Sequence, residues 1–243
     1  MAHEGPVTAE QLNDGPPTTP RQAAAVILLR GGRAPFELLL VQRNPAQRFM
    51  GGFWVFPGGA VDAGEGDGDA AHRAAAVREL QEEAGVVVRA GELVKYSRWI
   101  TPELLRIRFD AHFFLALAPA GAQARCDGRE CVDQRWTTPR DALAAGARGE
   151  RRLAFPTLRQ LEQLSAFSSA QALLSHARSH DVVAMRPRVE RSGEVARLYL
   201  PGDAEEHNPP RRAGMALEIP SKTSESSTNP RKWTNGRPTD PGG

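Results

Sequence analysis

The sequence predicts an α/β layered domain, and two patterns carry this prediction. Short runs rich in apolar and β-branched residues recur between Gln22 and Thr137, as expected for strands. One amphipathic helix that ends at Gly85 lies among these runs, and further helix-like segments follow Pro139. Strands on both sides of a helix, with more helices after them, favour a sheet that packs against helical layers.

The first two strands are the clearest. The run A-A-A-V-I-L-L-R after Gln22 predicts a buried strand. Gly31-Gly32 predicts a turn, so the following F-E-L-L-L-V-Q-R is expected to return as the second strand of a hairpin. Aromatic and β-branched residues predict further strands at 53–56, 86–88, 92–101, 109–118 and 131–137, and weaker ones at 182–185 and 196–200.

The helix before Gly85 has recognisable ends. Asp69 is the predicted N-cap, because its carboxylate can accept hydrogen bonds from the first free N–H groups. Gly85 is the predicted C′ residue, because glycine adopts a left-handed conformation without steric cost. Helical spacing separates an apolar face from a polar face with a solvent-facing His72. The apolar face is Ala70, Ala74, Val77, Leu80 and Ala84. Later helices are predicted at 139–145, 157–167 and 169–178.

The polar face of this helix carries Glu79, Glu82 and Glu83. Carboxylates at this spacing repel one another, and a divalent cation would remove the repulsion. Carboxylate oxygens suit Mg²⁺ or Mn²⁺. The alternative is a solvated acidic face, which is the ordinary meaning of a charge run. The upstream turn Pro57-Gly58-Gly59 and the preceding Arg78 favour the metal site.

These residues resemble the signature of the Nudix hydrolases, G-x5-E-x7-R-E-U-x-E-E-x-G-U, in which U is aliphatic. The stretch from Arg78 to Val86 matches its second half, and Gly59 and Glu65 match its first half. Twelve residues separate Glu65 from Arg78 where the signature has seven. The five additional residues, expected within 66–71, should lengthen the loop before the helix. The resemblance implies the Nudix fold, a mixed sheet between helices, over about residues 21–203.

The resemblance also implies roles for these side chains. Mg²⁺ or Mn²⁺ would be held by Glu79, Glu82 and Glu83 together with the carbonyl of Gly59. Arg78 would orient a neighbouring glutamate. We place Glu82 first as the base that takes a proton from the attacking water, with Glu130 in reserve.

A second pattern lies immediately upstream. The run from Leu39 to Gly59, L-L-V-Q-R-N-P-A-Q-R-F-M-G-G-F-W-V-F-P-G-G, resembles L-L-T-x-R-[SA]-x3-R-x3-G-x3-F-P-G-G of the coenzyme A diphosphatases within the Nudix group. Val41 and Asn44 depart from that pattern. Arginine forks bind phosphate oxygens bidentately, so Arg43 and Arg48 are candidate phosphate ligands. The alternative is that both are ordinary surface arginines. Arg98, Arg106 and Arg108 are further candidates.

The resemblance therefore implies an Mg²⁺- or Mn²⁺-dependent diphosphatase that acts on a small nucleotide. Its expected substrate is coenzyme A or acyl-coenzyme A, cleaved to 4′-phosphopantetheine and 3′,5′-ADP. One alternative substrate is ADP-ribose, NADH or another dinucleotide. A non-catalytic nucleotide-sensing domain is a third hypothesis, but such a domain would be expected to lack a signature carboxylate, and none is lost.

Composition limits the partners and the compartment. The 243 residues have a net charge of +2, so no general basic field indicates a nucleic-acid partner. Two cysteines, Cys126 and Cys131, are expected to be free thiols in the cytoplasm. No secretory signal or apolar run long enough to cross a bilayer is apparent, so no membrane partner is expected. The oligomeric state stays open, with a homodimer among the alternatives.

The two ends of the chain differ in composition from its centre. Residues 1–20 are polar and contain several prolines, so we predict a mobile arm. Residues 21–203 are the predicted Nudix domain. Residues 204–243 are rich in Pro, Ser, Thr, Asn and Arg and predict a disordered tail, in which Trp233 is the one large aromatic residue.

Overall fold

A computed structural model describes residues 12–13, 15–31, 35–192, 195–200 and 215–218 of the chain. The strands are β1 (Arg21–Arg30), β2 (Glu37–Arg43), β3 (Trp54–Val55), β4 (Gly58–Ala60), β5 (Val94–Ile100), β6 (Phe109–Leu117), β7 (Cys131–Thr137), β8 (Ala184–Met185), β9 (Arg188–Ser192), β10 (Val195–Tyr199) and β11 (Met215–Glu218). The helices are α1 (Gly68–Ala84), α2 (Pro139–Ala147), α3 (Phe155–Leu164) and α4 (Ala170–Ser179), with 3₁₀ turns at Ala63–Glu65 and Ala90–Glu92.

Eight strands form one mixed sheet in the order β3-β2-β1-β6-β5-β8, with β4 paired to β1 and β7 paired to β2. β1 is parallel to β6 and β5 is parallel to β8, whereas the other pairs in this sheet are antiparallel. Helix α1 packs on one face, and α2, α3 and α4 pack on the other. This confirms the predicted α/β fold, a mixed sheet between helices. Strands β9, β10 and β11 form a separate small antiparallel sheet.

The central strand β1 explains why its sequence reads as an unbroken apolar run. Ala25, Ile27 and Leu29 pack into the core on the α2–α4 side, and the alternating residues Ala24, Val26 and Leu28 pack into the core beneath α1. A strand that is covered on both faces needs apolar side chains at every position.

The segment that joins β3 to β4 lies between two diverging strands. β2 pairs with β1 only at its start, where Leu38 faces Leu29, and with β3 near its end, where Val41 faces Val55. The first half of β1 pairs instead with β4, and Ala24 faces Gly59. The glycine turn that follows Pro57 is therefore held against β1, directly under α1.

The start of α1 differs from the prediction. The helix begins at Gly68, and the N-cap position is Asp67, whose side chain makes no capping hydrogen bond. The Asp69 carboxylate is instead bound by Arg73 at 2.8 Å and Lys95 at 3.0 Å. Only Gly66 and Asp67 separate the 3₁₀ turn from α1, so the prediction of a longer loop is wrong. The residues added to the signature instead extend the helix at its N-terminal end. Gly85 does end the helix in a left-handed conformation, with φ of 66°.

The apolar face of α1 is rotated relative to the prediction. Ala70 and Ala74 are exposed, whereas Leu80 and Ala84 are buried as expected. Alanines lie on every side of this helix, so its hydrophobic periodicity has little contrast and does not fix the buried face. The 86–88 segment, predicted as a strand, is irregular.

Part of the predicted mobile arm is attached to the domain. Leu12 is buried and forms an isolated bridge with Leu105, and the N–H of Asn13 donates to the carbonyl of Leu104 at 2.8 Å. Residues 12–13 therefore contact the domain, and mobility of the arm stays a prediction; residues 1–11 and 14 lie outside the described residues. In the predicted tail, residues 215–218 form β11, and Trp233 and the remaining residues lie outside the described part.

His72 is buried, with 7% of its surface exposed, and the prediction that it faces solvent is wrong. Its ring stacks on His112 of β6 with centroids 3.9 Å apart, and Nε2 lies 2.9 Å from Oε1 of Gln22. Beside the pair, Asp110 accepts two hydrogen bonds from Arg98. Polar side chains of β1 and β6 thus bury His72, although helical periodicity alone predicts that it faces solvent.

This histidine pair should make the protein less stable in mild acid. Burial and the neighbouring His72 lower the pKa of His112 to about 4, while Asp110 acts in the opposite direction and Arg98 and Lys95 add to the lowering. Because the unfolded pKa is about 6.5, the unfolded chain takes up the proton first. Stability is then present above pH ~6.5 and falls toward pH ~4, by on the order of 1–3 kcal/mol.

We expect His112→Asn to flatten the fall in melting temperature between pH 7 and pH 4.5. His180→Asn is the comparison variant, because it removes an exposed histidine at the end of α4, outside the His72–His112 pair. Equal slopes for wild type and His112→Asn would contradict the burial of an uncharged His112.

Candidate functional site

The turn Gly58-Gly59 brings backbone unusually close to its neighbours. A Cβ at Gly58 would overlap the carbonyl oxygen of Ala24 and the backbone of Ala25. A Cβ at Gly59 would overlap the carboxylate of Glu79. Only glycine allows β4 to lie against β1 on one side and under α1 on the other.

Arg78 joins the acidic side chains of the signature. Its Nε donates to Glu65 Oε1 at 2.9 Å, and its Nη1 donates to Glu79 at 2.8 Å and to Glu82 at 3.0 Å. Its Nη2 donates to the carbonyl of Ala60 at 2.9 Å. The hydrogen bonds to Glu65, Glu79 and Glu82 raise the pKa of Arg78 still further above its usual range. Glu65 thus keeps a place in the site despite the residues inserted after it.

Glu83 is the most buried of the four glutamates, with a side chain that is 2% exposed. Its Oε2 accepts a hydrogen bond of 2.8 Å from the N–H of Gly58, whereas Oε1 accepts no hydrogen bond of good geometry from the described residues. The thiol of Cys131 lies close enough to the carboxylate to help lower its pKa. The nearest cation is Nη1 of Arg43, 3.9 Å from Oε1. Burial raises the pKa of Glu83 to about 7, against the lowering effect of the Gly58 N–H. A buried carboxylate oxygen without a hydrogen bond is costly, and a bound cation would reduce that cost.

Glu79 and Glu82 differ in their access to water. The Glu79 side chain is 12% exposed, and burial raises its pKa, although its hydrogen bond to Arg78 opposes that rise. The Glu82 side chain is 59% exposed. Glu79 and Glu83, one helical turn apart, therefore flank the glycine turn, while Glu82 reaches toward solvent.

The donor set fits a divalent cation. Within the described ranges, no three His, Cys, Asp or Glu side chains already surround a common point, because Arg78 holds oxygens of Glu79 and Glu82. Oε1 of Glu83, which accepts no hydrogen bond from the described residues, nevertheless supplies the kind of oxygen that Mg²⁺ or Mn²⁺ binds. Glu79, Glu82, Glu83 and the carbonyl of Gly59 remain the predicted ligands.

Gly59→Ala should lower activity without unfolding the protein. The added methyl group displaces the Glu79 carboxylate, and we expect turnover to fall about 10²-fold, the scale of losses that follow a misplacement of about 1 Å in an active site. The comparison is Gly64→Ala in the 3₁₀ turn, where a Cβ would meet no atom within 4 Å. Turnover of Gly59→Ala equal to that of Gly64→Ala would show that the close approach is not needed.

The two upstream arginines, Arg43 and Arg48, differ in burial and in their contacts. Arg43 donates from Nε to the carbonyl of Phe49 at 3.3 Å and faces Glu83, and its side chain is 18% exposed. Arg48 is exposed and makes no hydrogen bond or ion pair with the described residues. The structure brings Arg43 to the predicted metal site and leaves Arg48 free on the adjoining loop.

The other arginines considered as phosphate ligands bind groups away from the glutamates. Arg98 pairs with Asp110, while Arg106 donates to the carbonyl of Leu12 and Arg108 to that of Thr18. Glu130 is exposed, and its carbonyl accepts from the N–H of Asn44. Its negative charge is one of the influences that raise the pKa of Glu79, so it lies near the acidic group.

The sequence prediction missed one cation that contacts the segment before the glycine turn. Arg152 lies just before α3, and its guanidinium carbon is 4.3 Å from the centre of the Phe53 ring. Nothing in the local spacing indicates this contact, because the two residues belong to distant parts of the chain.

Comparison with known proteins places the chain in a family. Residues 19–158, more than half of the sequence, match the NUDIX domain. The chain belongs to the Nudix family. Nudix hydrolases generally use divalent metal ions and act on small nucleotide substrates.

Three Nudix proteins illustrate the similarity. The Caenorhabditis elegans "Putative nudix hydrolase 7" is 26% identical over an alignment of 180 positions that covers 60% of this chain and 60% of that protein. "Uncharacterized Nudix hydrolase NudL" from Klebsiella aerogenes is 42% identical over 79 residues, 32% of this chain and 62% of that protein. The chain thus spans about three fifths of these relatives. The crystal structure of a NUDIX hydrolase from Alicyclobacillus acidocaldarius superimposes with a TM-score of 0.60 and 27% identity, covering 65% of this chain and 96% of that one.

None of the helices that the structure describes is long and apolar enough to cross a membrane.

Proposed function

We propose that this Nudix protein is a divalent-cation-dependent diphosphatase that hydrolyses the diphosphate linkage of a nucleoside diphosphate derivative. One observation carries the proposal: Arg78 gathers Glu65, Glu79 and Glu82 beside a buried Glu83, whose Oε1 accepts no hydrogen bond from the described residues. Carboxylates gathered at a buried, tightly turned backbone are an arrangement suited to cation-assisted hydrolysis.

We assign the following roles in the hydrolysis to the residues of this chain. The N–H of Gly58 fixes one oxygen of Glu83, and Arg78 fixes Glu79 and Glu82 relative to each other. Mg²⁺ or Mn²⁺, when bound, would neutralise charge on the diphosphate oxygens. Glu82 is the proposed base because it is the most exposed of the three and can meet a water molecule. Glu130 is the alternative base.

The proposed substrate is coenzyme A or an acyl-coenzyme A, which would yield 4′-phosphopantetheine and 3′,5′-ADP. The support is the upstream pattern that contains Arg43 and Arg48, together with the position of Arg43 beside Glu83. The two cysteines, Cys126 and Cys131, are free thiols, which favours a reducing compartment such as the cytoplasm.

ADP-ribose or a dinucleotide such as NADH is the second candidate substrate. Arg43 lies beside Glu83, and its guanidinium can bind the diphosphate of any of these molecules. A nucleotide-sensing domain without activity is the third candidate function, and the intact set Glu79, Glu82 and Glu83 disfavours it.

The test is an assay of the purified full chain with Mg²⁺ or Mn²⁺ against coenzyme A, acyl-coenzyme A, ADP-ribose and NADH. We expect release of 3′,5′-ADP from coenzyme A, and we expect excess chelator to abolish it. Faster cleavage of ADP-ribose or NADH would select the second candidate. Nucleotide binding without any cleavage would select the third, and full activity in chelator would refute the role of the metal.

The two upstream arginines should give different losses when each is replaced by alanine. Arg43→Ala leaves Glu83 without its nearest cation, so we expect coenzyme A and dephospho-coenzyme A to lose turnover equally. Arg48→Ala should reduce kcat/KM for coenzyme A about tenfold or more, the worth of one charged hydrogen bond, with little effect on dephospho-coenzyme A. Equal losses of Arg48→Ala on both substrates would show that Arg48 does not read the 3′-phosphate.

A further inference from the structure

Three side chains form a row on the face of the sheet that carries α1. Arg43 and Phe53 are neighbours across the β2–β3 pair, because the N–H of Arg43 donates to the carbonyl of Phe53 at 2.9 Å. Side chains alternate along a strand, so Phe53 shares the face of Val55, which packs against the α1 core. Trp54 belongs to the opposite core.

The segment just before α3 extends this row. The N–H of Trp54 donates to the carbonyl of Arg152 at 2.7 Å, and Trp54 forms a parallel bridge with Leu153. Leu153 and Trp54 share the core opposite α1. Arg152 therefore emerges on the α1 face, where its guanidinium lies over the ring of Phe53.

The charge of Arg152 is not neutralised by any carboxylate among the described residues. The residue is exposed, and within the described residues no carboxylate oxygen lies within the 4.0 Å that defines an ion pair. The ring beneath it restricts the guanidinium to one region of the surface. A restricted, unneutralised guanidinium is well suited to bind a phosphate.

We propose that Arg152 binds a second phosphate of the substrate, one carried on the sugar and separate from the diphosphate. This inference rests on the proposed function. Arg43 marks the end of the row next to Glu83, and Arg152 lies two strand spacings away, roughly 10 Å between backbones. A nucleoside diphosphate derivative with a further phosphate on its ribose presents two anionic groups separated by the sugar. The row offers Arg43 to the diphosphate and Arg152 to the sugar phosphate, whose several oxygens can accept hydrogen bonds from Arg152 and Arg48 together.

The neighbouring Arg151 offers a matched control. Its guanidinium lies 5.1 Å from the ring of Trp54, so it makes the same kind of contact as Arg152 with a ring of the opposite core. Arg151→Ala and Arg152→Ala each remove one charge and one aromatic contact. Only Arg152 lies on the face of the proposed site.

The experiment compares kcat/KM for coenzyme A and dephospho-coenzyme A in the full chain. Arg152→Ala should lower the value for coenzyme A about tenfold or more, and that for dephospho-coenzyme A much less. Arg152→Lys should recover part of the loss, and Arg151→Ala should keep the wild-type ratio. An unchanged ratio in Arg152→Ala overturns the inference and leaves Arg152 with a stacking role only.

A second pair of substrates separates this inference from the proposed substrate. If wild type cleaves dinucleotides and not coenzyme A, the coenzyme A proposal fails. The rates for NADPH and NADH then replace the first comparison, because these two substrates also differ by one sugar phosphate. Loss of the NADPH preference in Arg152→Ala then supports the inference, and an unchanged preference overturns it. If wild type cleaves nothing, the proposed activity fails, and titration with 3′,5′-ADP and AMP decides whether Arg152 binds the additional phosphate.

Discussion

Glu83→Gln should lower turnover by about 10²- to 10⁴-fold while the fold stays intact, the range expected when a site loses a required carboxylate. Glutamine keeps the size of glutamate and nearly its helix propensity. It also keeps an oxygen that can accept from the N–H of Gly58. What it removes is the charge on Oε1, which pairs only at 3.9 Å with Arg43 and accepts no hydrogen bond from the described residues.

The same substitution should stabilise the metal-free protein above neutral pH. The pKa of Glu83 is raised to about 7 by burial, whereas an unfolded glutamate ionises near pH 4.3. Between these values the folded protein holds the proton and the unfolded chain does not, so wild type loses stability as pH rises. Glutamine has no proton to lose, and its advantage should grow through this window to as much as about 3 kcal/mol.

Rates and chelator-treated melting curves at pH 5 and pH 8 test both expectations in one preparation. Glu162→Gln on α3 is the control, because it removes a surface glutamate that pairs with Arg159 far from the signature. Near wild-type turnover of Glu83→Gln would show that Glu83 holds no metal. Glu82→Gln should also lose at least about 10²-fold if Glu82 is the base, and if it does not, Glu130 must be tested in its place.

Arg78→Ala should cost both activity and stability. It leaves Glu65, Glu79 and Glu82 without their common donor, so we expect turnover to fall by at least about 10²-fold, as when catalytic groups lose their geometry. The free energy of unfolding should fall by about 1.5–3 kcal/mol, the worth of a charged hydrogen bond. The Arg78 side chain is 27% exposed, so solvent screening limits the total well below the sum of its contacts.

Arg78→Lys separates charge from shape. A lysine keeps the positive charge, but its three donors share one nitrogen and cannot span the positions that Nε, Nη1 and Nη2 of Arg78 occupy. We expect Arg78→Lys to recover more of the stability than of the activity, as measured by urea unfolding and by kcat. Full activity in Arg78→Lys would show that the site needs a cation there but not the geometry of the guanidinium.

The sequence predicts those parts of the site that depend on one helix and its turn. The spacing from Arg78 to Gly85 places the glutamates on one side of a helix whatever the rest of the chain does, and Gly85 ends it. The central strand also follows from its unbroken apolar run. These features are local, so propensity and periodicity are sufficient to predict them.

The parts that could not be predicted depend on contacts between distant segments. His72 is buried because Gln22 and His112 of two strands offer it a polar site, which no helical periodicity encodes. The contact of Arg152 with Phe53 requires a parallel bridge formed only in the folded sheet. The place of the inserted residues likewise depends on Asp69, whose bonds to Arg73 and Lys95 favour an extra helical turn over a loop.

The pairing of β1 with β6 has a consequence for synthesis on the ribosome. Gln22 and Asp110, which meet across these two strands, are 88 residues apart in sequence. β1 can form its hairpin with β2 early, but its other edge must wait for β6, and an apolar strand edge left open is prone to aggregate. A nascent chain that has not reached Phe109 already contains the whole Nudix signature. It still lacks β6, which pairs with the other edge of β1, the strand against which Gly58 and Gly59 lie, so the motif is translated well before the sheet beneath it is complete.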